Sequence, residues 1–292
     1  MLWLSRFGLA VCCAVSFGLC LPSGTVQAGE AEAKQQEEEF VCEHTKINTQ
    51  DADPWGEGEG EMDFRYTFSR ATRWWGNDWD GQKRSLAEEQ YFEAYVLYGL
   101  SDNLEVSLGS GYADLYDRDE DARRGRGPMD LWVALKWKFY EDEESALKLA
   151  YVPGLTMPTG RHAGSDHLGT SQECWTFDQQ LALTKDWGLW TTNCDVGYWL
   201  PFGDEADGWR GTLTSNAALG YHVTDWLQPE CELNYLHDFI RSDQDADDIA
   251  VTAGFIICAS EHVRLDIGAQ RSVAGRNSDR GIRGIFELAY TW

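Results

Sequence analysis

Basic residues are scarce in this chain. It has 24 Lys and Arg against 49 Asp and Glu in 292 residues, and its formal net charge is −25. Nucleic-acid binding depends mainly on lysine and arginine contacts to phosphates. A chain with this excess of negative charge would be repelled by a polyanion. We therefore expect no nucleic-acid partner.

Long apolar runs are also missing after residue 28. A membrane-spanning helix needs about 20 mainly apolar residues, and this part of the chain contains no stretch of comparable length. The absence argues against a helical membrane protein. It leaves a β-barrel open, because each spanning strand needs only about 9 to 11 residues that are apolar at alternate positions.

The first 28 residues have the pattern of a secretory signal peptide. Arg6 precedes an apolar run over residues 7–21, and the small-residue site Val26-Gln27-Ala28 follows. A basic start, a short apolar stretch and small residues at the cleavage site are typical of exported proteins. We expect cleavage after Ala28, which removes residues 1–28 from the folded protein.

The cysteines that remain after this cleavage are odd in number: Cys42, Cys174, Cys194, Cys231 and Cys258. An odd count does not imply a disulfide framework, and the spacings match no compact metal site. We therefore expect no metal and no cofactor. We interpret Cys194, Cys231 and Cys258 as small apolar residues on the lipid-facing side of strands, and Cys42 as the free, reactive thiol.

Residues 29–60 are acidic and show almost no apolar periodicity. They include the run Glu37-Glu38-Glu39 and the glycine-rich stretch 56–60. Such a composition predicts a flexible acidic leader. The sequence also leaves open that this segment folds into the lumen of a barrel as a partial plug.

From residue 61 to residue 292, apolar residues recur at every second position. In the first strand Met62, Phe64, Tyr66 and Phe68 alternate with polar residues. This alternation is typical of strands with one face in an apolar medium. Twelve such segments can be placed, near 61–70, 90–100, 104–113, 129–139, 146–156, 175–185, 188–199, 211–222, 226–237, 248–258, 262–272 and 282–292.

The connections between these segments alternate between short and long. Short turns are predicted near 101–103, 141–145, 185–187, 224–225 and 260–261, and longer polar loops at 71–89, 115–128, 157–174, 201–210, 238–246 and 273–281. Outer-membrane barrels have short periplasmic turns and long extracellular loops, which a soluble β-sandwich does not require. We therefore predict an all-β fold, a transmembrane antiparallel up-and-down β-barrel of about 12 strands in a Gram-negative outer membrane. Ten or fourteen strands are the alternatives.

Aromatic residues concentrate near the predicted strand ends. Tyrosine and tryptophan at both ends, Trp199 among them, indicate interfacial girdles in contact with the lipid bilayer and its lipopolysaccharide. The chain ends on the alternating strand Phe286–Trp292, whose last residue is aromatic. This ending resembles the C-terminal signal that the barrel assembly machinery reads, so we predict that machinery as a partner.

Several short stretches resemble one known family. They are INTQDADPWGEG over residues 47–58, LYGLSDNLEV over 97–106, Pro158-Thr159-Gly160, and DVGY over 195–198. Together they are similar to the outer-membrane transporter family named for the MetA pathway of phenol degradation. The resemblance runs over nearly the whole exported chain, although each motif is short and mostly consists of turn residues. It implies a barrel with a transport role, and it carries no catalytic residues.

Alternation also assigns an inner face, on which acidic residues outnumber basic ones. Such a lumen disfavours anions and favours cations or neutral solutes. We predict a passive channel or uptake protein for small solutes, hydrophobic or aromatic ones by analogy with the family. The predicted lumen-lining residues are Asp63, Arg65, Glu93, Glu105, Asp130, Lys136, Lys148, Asp178, Asp195, Glu230, Glu232, Arg264, Asp266 and Glu287.

Two other functions remain open at this point. Inward charges could pair and fill the interior, which would make an occluded structural or adhesive barrel. An outer-membrane hydrolase would instead need a clustered base and nucleophile, and the loop 160–170 offers His162, Ser165, Asp166 and His167. Polar residues in a glycine-rich loop are usually just solvated, so we expect no catalytic site and no enzyme.

Overall fold

The computed structural model describes residues 46–119, 122–203, 208–241 and 244–292. The expected signal peptide, the first part of the acidic leader and Cys42 lie outside these residues. All regular elements within them are β-strands. Over the same residues, no helix is long and apolar enough to cross a membrane.

The described strands are long and follow one another along the chain. Their bounds are β1 Gly60–Trp75, β2 Gly81–Ser101, β3 Leu104–Asp117, β4 Arg123–Pro128, β5 Leu131–Asp142, β6 Leu147–Met157, β7 Trp175–Trp187, β8 Trp190–Phe202, β9 Trp209–Tyr221, β10 Leu227–Ile240, β11 Ala246–Ser260, β12 Val263–Arg276 and β13 Ser278–Thr291.

The strands form one closed antiparallel sheet. Neighbours in sequence pair with each other, and β1 also pairs with β13, which closes the ring. Strands β4 and β5 share a single position, because β4 pairs with the residues of β3 from Tyr112 to Asp117 and β5 with those from Leu104 to Gly109. The prediction of a twelve-stranded barrel is therefore confirmed, with one strand interrupted at Met129-Asp130.

The wall shows why alternation was so regular. Outward side chains such as Phe64, Phe92 and Leu288 are about half exposed, whereas inward ones such as Glu61 and Asp266 are buried. The outward surface matches the apolar band of an outer-membrane barrel, and the inner surface is polar. Most of the buried apolar side chains are alanines, so the interior is held by polar contacts rather than by a packed apolar core.

Several connections differ from their predicted positions, because strands extend into them. The turn expected at 185–187 lies at Gly188-Leu189, because β7 continues to Trp187 and Gly188 takes the positive φ of +62° that a tight hairpin needs. The predicted loop 71–89 is mostly strand, because β1 and β2 keep pairing up to Trp75 and Gly81. Backbone pairing between strands thus continues beyond the lipid-facing region, where apolar and polar side chains must alternate.

Cys258 faces the inside of the barrel and not the lipid. It shares the inward side of β11 with Thr252 and Ile256, is 8% exposed, and is disulfide-bonded. The lipid-facing assignment was wrong because Cys258 lies one residue out of step with the outward positions of its strand. Cys194 and Cys231 do occupy outward positions on β8 and β10.

Candidate functional site: the barrel lumen

Residues 46–56, here called the lumen segment, precede β1 and lie inside the barrel. Ile47 is 2% exposed, Thr49 4% and Ala52 0%. The segment contacts inward side chains near the rim that carries the short turns, which is the periplasmic rim of outer-membrane barrels. The site is therefore the lumen wall together with this segment.

Two glutamates of β10 hold the start of the lumen segment. The backbone N–H of Ile47 donates to Glu230 Oε1 at 2.9 Å. The N–H groups of Asn48 and Thr49 donate to Glu232 Oε1 at 2.8 and 3.1 Å. Buried backbone donors need partners, and a segment outside the sheet ladder finds them here on carboxylates of the wall.

The same arrangement continues on the next strands. The N–H of Gln50 donates to Asp195 Oδ2 at 2.8 Å, and the N–H of Ala52 donates to Thr184 Oγ1 at 2.8 Å. Asn216 Nδ2 donates to Asp195 Oδ1 at 2.9 Å, which orients that carboxylate. The wall therefore binds the backbone of the segment and not only its side chains.

Three lysines neutralise the acids of the lumen segment. Lys136 Nζ lies 3.0 Å from Asp51 Oδ1, and Lys138 Nζ lies 3.4 Å from Asp53 Oδ1. Lys148 forms a further ion pair with Asp53. The segment is thus joined to β5 and β6 by charge pairing in a largely buried setting.

A second cluster surrounds Arg264 of β12. Its guanidinium lies 2.5 Å from Glu61, 3.1 Å from Asp266, 3.2 Å from Glu287 and 3.8 Å from Asp63. One buried arginine therefore faces four carboxylates. The cluster has a strong excess of acidic groups on this side of the lumen.

Arg65 connects this cluster to the lumen segment. Its Nη2 donates to the carbonyl oxygen of Ile47 at 2.9 Å and to Asn48 Oδ1 at 2.7 Å, and its Nη1 lies 3.5 Å from Glu287 Oε2. Glu93 is its register partner on β2. The sequence predicted these charges on the inner face but did not reveal that they bind the segment.

A cavity of about 400 Å³ lies between the lumen segment and the wall. Part of its lining is aromatic or apolar, and this part includes Tyr95, Leu97, Trp132, Val152 and Trp199. The rings of Tyr95 and Trp132 are 5.4 Å apart between centroids. The prediction of Trp199 as an interfacial girdle residue was wrong, because it has the inward parity of its strand.

Tyr95 and Trp132 were missed by the sequence analysis, although a signal for them existed. Tyr95 lies two residues after Glu93 on β2, and Trp132 lies four residues before Lys136 on β5. Each aromatic residue therefore shares the inward face of its strand with a charged residue. The predicted lumen-lining set contained only charged residues, so these two inward aromatic residues were left out of it. The two rings add an apolar surface to an otherwise charged lumen.

Two of the predicted residues have local roles. Asp178 borders the cavity and accepts a hydrogen bond from Thr156 Oγ1 at 3.0 Å. Asp130 lies at the break between β4 and β5 and accepts the backbone N–H groups of Gly160 and Gln172 at 2.8 and 2.7 Å. Asp130 thus anchors the loop 158–174 instead of contacting the lumen segment.

The loop 158–174 brings only part of its polar set together. His167 Nδ1 lies 2.7 Å from Asp166 Oδ1, and this hydrogen bond lowers the pKa of the exposed Asp166 carboxyl. His167 Nε2 lies 3.2 Å from the carbonyl oxygen of His162. Within this loop, all of which the structure describes, no hydrogen bond joins Ser165 to either histidine. A nucleophile and a base are therefore not assembled.

Among residues 46–119, 122–203, 208–241 and 244–292, no group of three or more His, Cys, Asp or Glu side chains has the arrangement of a metal site. The acids of the lumen instead face lysines, arginines and backbone N–H groups. The described part of the lumen is thus organised around a peptide segment.

Comparison with solved structures places the fold among outer-membrane proteins. The COG4313 outer membrane channel from Pseudomonas putida F1 matches with a TM-score of 0.73 and 17% identity, covering 85% of this chain and 100% of that chain. A weaker match is the β domain of the Bordetella autotransporter BrkA, with a TM-score of 0.47 and 17% identity, covering 81% of this chain and 100% of that chain. The KdgM porin matches with a TM-score of 0.46 and 10% identity, covering 79% of this chain and 98% of that chain. No curated protein sequence matches this chain significantly.

The family model described as "Putative MetA-pathway of phenol degradation" matches residues 46–287. This range begins with the lumen segment and includes nearly all of the barrel, so the match spans both parts of the site. The resemblance seen in the short motifs is thereby confirmed. The chain has the fold of an outer-membrane channel, and it belongs to the family of the MetA pathway of phenol degradation.

Proposed function

We propose that the protein is a channel for passive uptake of small solutes across the outer membrane, with a lumen that admits cations and neutral molecules in preference to anions. The observation that carries this proposal is the pairing of an acid-rich inner wall with a partly aromatic cavity of about 400 Å³. The wall accounts for charge preference, and the cavity accounts for the kind of solute.

The charge preference follows from the Arg264 side of the lumen. Two arginines, Arg65 and Arg264, face more acids than they can balance, namely Glu61, Asp63, Glu93, Asp266 and Glu287. Charges on low-dielectric walls focus the field into the space between them. An anion that enters this lumen is repelled, whereas a cation or a neutral solute is not.

The cavity fits small aromatic or apolar molecules. Ligand pockets are mainly apolar, with a few polar groups that set orientation. Tyr95 and Trp132 offer ring faces, while the inward Asp178 offers carboxylate oxygens as hydrogen-bond acceptors. Small neutral solutes with one polar group therefore suit it best.

The lumen segment acts as a plug in this proposal. It is held by hydrogen bonds and ion pairs to the wall, and such contacts can be exchanged for water one at a time. Passage of solutes then requires the segment to shift within the lumen or to leave it.

An occluded structural barrel is the second candidate. The specific observation in its favour is that the wall charges already have partners in the lumen segment. The two candidates predict different electrical behaviour. An occluded barrel would conduct no ions under any condition, whereas a plugged channel conducts intermittently.

Single-channel recording in planar bilayers tests the proposal. The chain without residues 1–28, the expected signal peptide, would be refolded and measured in a KCl gradient. We expect discrete openings and a reversal potential on the cation side. An anion-selective reversal potential would contradict the charge argument, and persistent silence would favour the occluded barrel.

Export and assembly are part of the same proposal. The signal peptide would direct secretion, and the strand ending Phe286–Trp292 would be recognised by the barrel assembly machinery. In support, the backbone of Trp292 pairs with Gly60 in both directions, at 3.0 and 3.2 Å. The last residue of the chain thus closes the ring at the short-turn rim.

A further inference from the structure

Four arginines line one concavity on the outer wall of the barrel. Arg70 and Arg73 belong to β1, Arg271 to β12 and Arg280 to β13, and we call them the arginine cluster. The chain as a whole has twice as many acidic as basic residues. A group of four guanidinium groups on its outward surface therefore runs against the overall charge.

Strand register explains how residues far apart in sequence meet here. Ile282 of β13 pairs with Arg70 of β1 on one side and with Arg271 of β12 on the other. Since neighbouring strands are about 4.8 Å apart, the two arginines start about 10 Å apart. Arg73 and Arg280 are direct register partners.

The position of Arg280 is further fixed by an aromatic ring. Its guanidinium carbon lies 4.5 Å from the centroid of the Trp75 ring, within the range of a cation–π contact. Trp75 is in turn held by a hydrogen bond from its Nε1 to Ser272 Oγ at 2.8 Å. This arginine is thus oriented before any ligand arrives.

The cluster lies at the level of lipid head groups. Along β13 the outward residues Tyr290, Leu288, Phe286 and Ile282 are 47 to 58% exposed, and all are apolar or aromatic. An apolar band about 25 Å high corresponds to roughly nine or ten residues of a strand tilted by about 40°. Counted from Tyr290 at the short-turn rim, this distance ends next to Ile282. The arginines therefore face the outer leaflet at its polar boundary.

Neighbouring charges leave the cluster positive. Glu88 Oε1 lies 3.6 Å from Arg70 Nε, and both side chains are solvent-accessible, at 33 and 58%. Exposed pairs of this kind are weak, so the guanidinium group can turn to a stronger partner. Lys83 is the register partner of Arg73 on β2 and adds a further positive charge.

A groove without side chains runs below the cluster. Gly284 pairs with Phe68 of β1 and with Ala269 of β12, so two of three adjacent positions carry little or no side chain. A Cβ atom added at Gly284 would meet only the ring of Phe286, at 3.8 Å. The groove is open toward the lipid and is flanked by aromatic rings.

We propose that the arginine cluster binds the phosphates of a bisphosphorylated glycolipid of the outer leaflet, of the lipid A type, with one acyl chain in the groove at Gly284 and Ala269. Arginine forms paired, charge-assisted hydrogen bonds with phosphate oxygens. Guanidinium groups spread over three strands suit a head group with two separated phosphates better than one with a single phosphate. This site is independent of solute passage through the lumen.

Lipid titration of the folded protein in neutral detergent tests this site. Bound lipid would be counted by native mass spectrometry, with bisphosphorylated lipid A, its monophosphorylated form and phosphatidylglycerol as the probes. We expect one tight lipid A molecule per chain and weaker binding of the other two. The variant R70Q/R271Q should lower the apparent affinity for lipid A at least tenfold, about the effect of losing one charged hydrogen bond.

A matched pair of substitutions serves as the control. R124Q/R210Q removes the same two positive charges from exposed positions on β4 and β9 and should bind lipid A as the wild type does. An equal loss in both double variants, or equal binding of lipid A and phosphatidylglycerol, would overturn the proposal. If R70Q/R271Q does not fold, as judged by its gel shift on heating, R271Q alone gives the same comparison. The substitution G284L should lower the affinity for lipid A without changing the affinity for its deacylated head group.

Discussion

Lys136 Nζ lies 3.0 Å from Asp51 Oδ1 and thereby joins strand β5 to the lumen segment 46–56. The same amino group lies 3.6 Å from Glu105 Oε2 and donates to the carbonyl oxygen of Asp53 at 3.1 Å. Glu105 in turn accepts the N–H of Trp55 at 3.1 Å. One inward lysine is thus the centre of a network that fixes the end of the segment before the chain enters β1.

Replacing Lys136 with methionine should loosen the lumen segment. Removing one partner from a buried charge network costs about 3 kcal/mol or more, because Asp51 and Glu105 keep their charges in a poorly hydrated space. We expect longer and more frequent openings in single-channel records of K136M. The control is K83M, which replaces an exposed lysine of β2 that lies outside the lumen. Identical gating in both variants and the wild type would contradict this role.

Replacing Arg264 with methionine should destabilise the barrel itself. Four carboxylates would lose their common partner, and the uncompensated charge corresponds to about 3 to 5 kcal/mol. We expect a lower unfolding midpoint of R264M in urea, read from the heat-modifiable gel shift. R210Q is exposed and should change the free energy of unfolding by less than about 0.5 kcal/mol. A midpoint for R264M equal to that of R210Q would show that the cluster contributes nothing.

Replacing Trp132 with alanine should change how aromatic solutes interact with the channel. The tilted ring pair of Tyr95 and Trp132 borders the cavity, and an aromatic contact contributes about 0.5 to 1.5 kcal/mol beyond area burial. Block of the ion current by a small aromatic alcohol should weaken several-fold in W132A. W226A removes an exposed tryptophan near the short-turn rim and should leave the block unchanged. A stronger block in W132A would argue against binding at this cavity.

The loop 158–174 should lose order in acid. His167 lowers the pKa of Asp166 in the folded protein, so the carboxylate contact is fully present above the ordinary aspartate pKa of about 3.9 and is lost as pH falls through the folded value. Hydrogen exchange of the amides at 162–168, corrected for intrinsic rates, should show protection that disappears only below about pH 4. D166N should lack this step. A loss of protection near neutral pH in the wild type would assign the order to another group.

The sequence predicted the barrel because each strand repeats the same constraint. Lipid accepts only apolar side chains on one face, so the alternation in Met62, Phe64 and Tyr66 recurs independently twelve times, and an error in one strand leaves the others intact. Where the strands rise above the membrane this constraint ends, and so does the pattern. That is why the hairpin around Trp75 and Gly81 was predicted as a loop.

The lumen segment could not be predicted because its partners are remote in the chain. Ile47 binds Glu230, which is 183 residues away, and Asp51 binds Lys136, 85 residues away. The segment has neither helical nor strand periodicity, so its acids resemble those of a solvated leader. Only the closed barrel, which brings three lysines and four carboxylates of the wall together, gives these residues a binding surface. Its insertion was therefore no more than an open alternative.

Cys258 and Trp199 show a different limit. Both were assigned by residue type, cysteine as a small apolar group and tryptophan as an interfacial anchor, although parity along β11 and β8 gives the opposite face. In this barrel, position within the two-residue repeat is the better guide. The same rule would have identified Tyr95 and Trp132 as lumen residues.

Single-channel conductance with and without residues 46–56 tests the central claim most directly. Both forms would be refolded without residues 1–28, and heating on a gel would verify that each is a folded barrel. If the segment closes the lumen of a channel, its deletion must raise the unit conductance and the open time severalfold while cation preference persists. A deletion form that folds and shows the same conductance as the full chain, or none, would contradict the account.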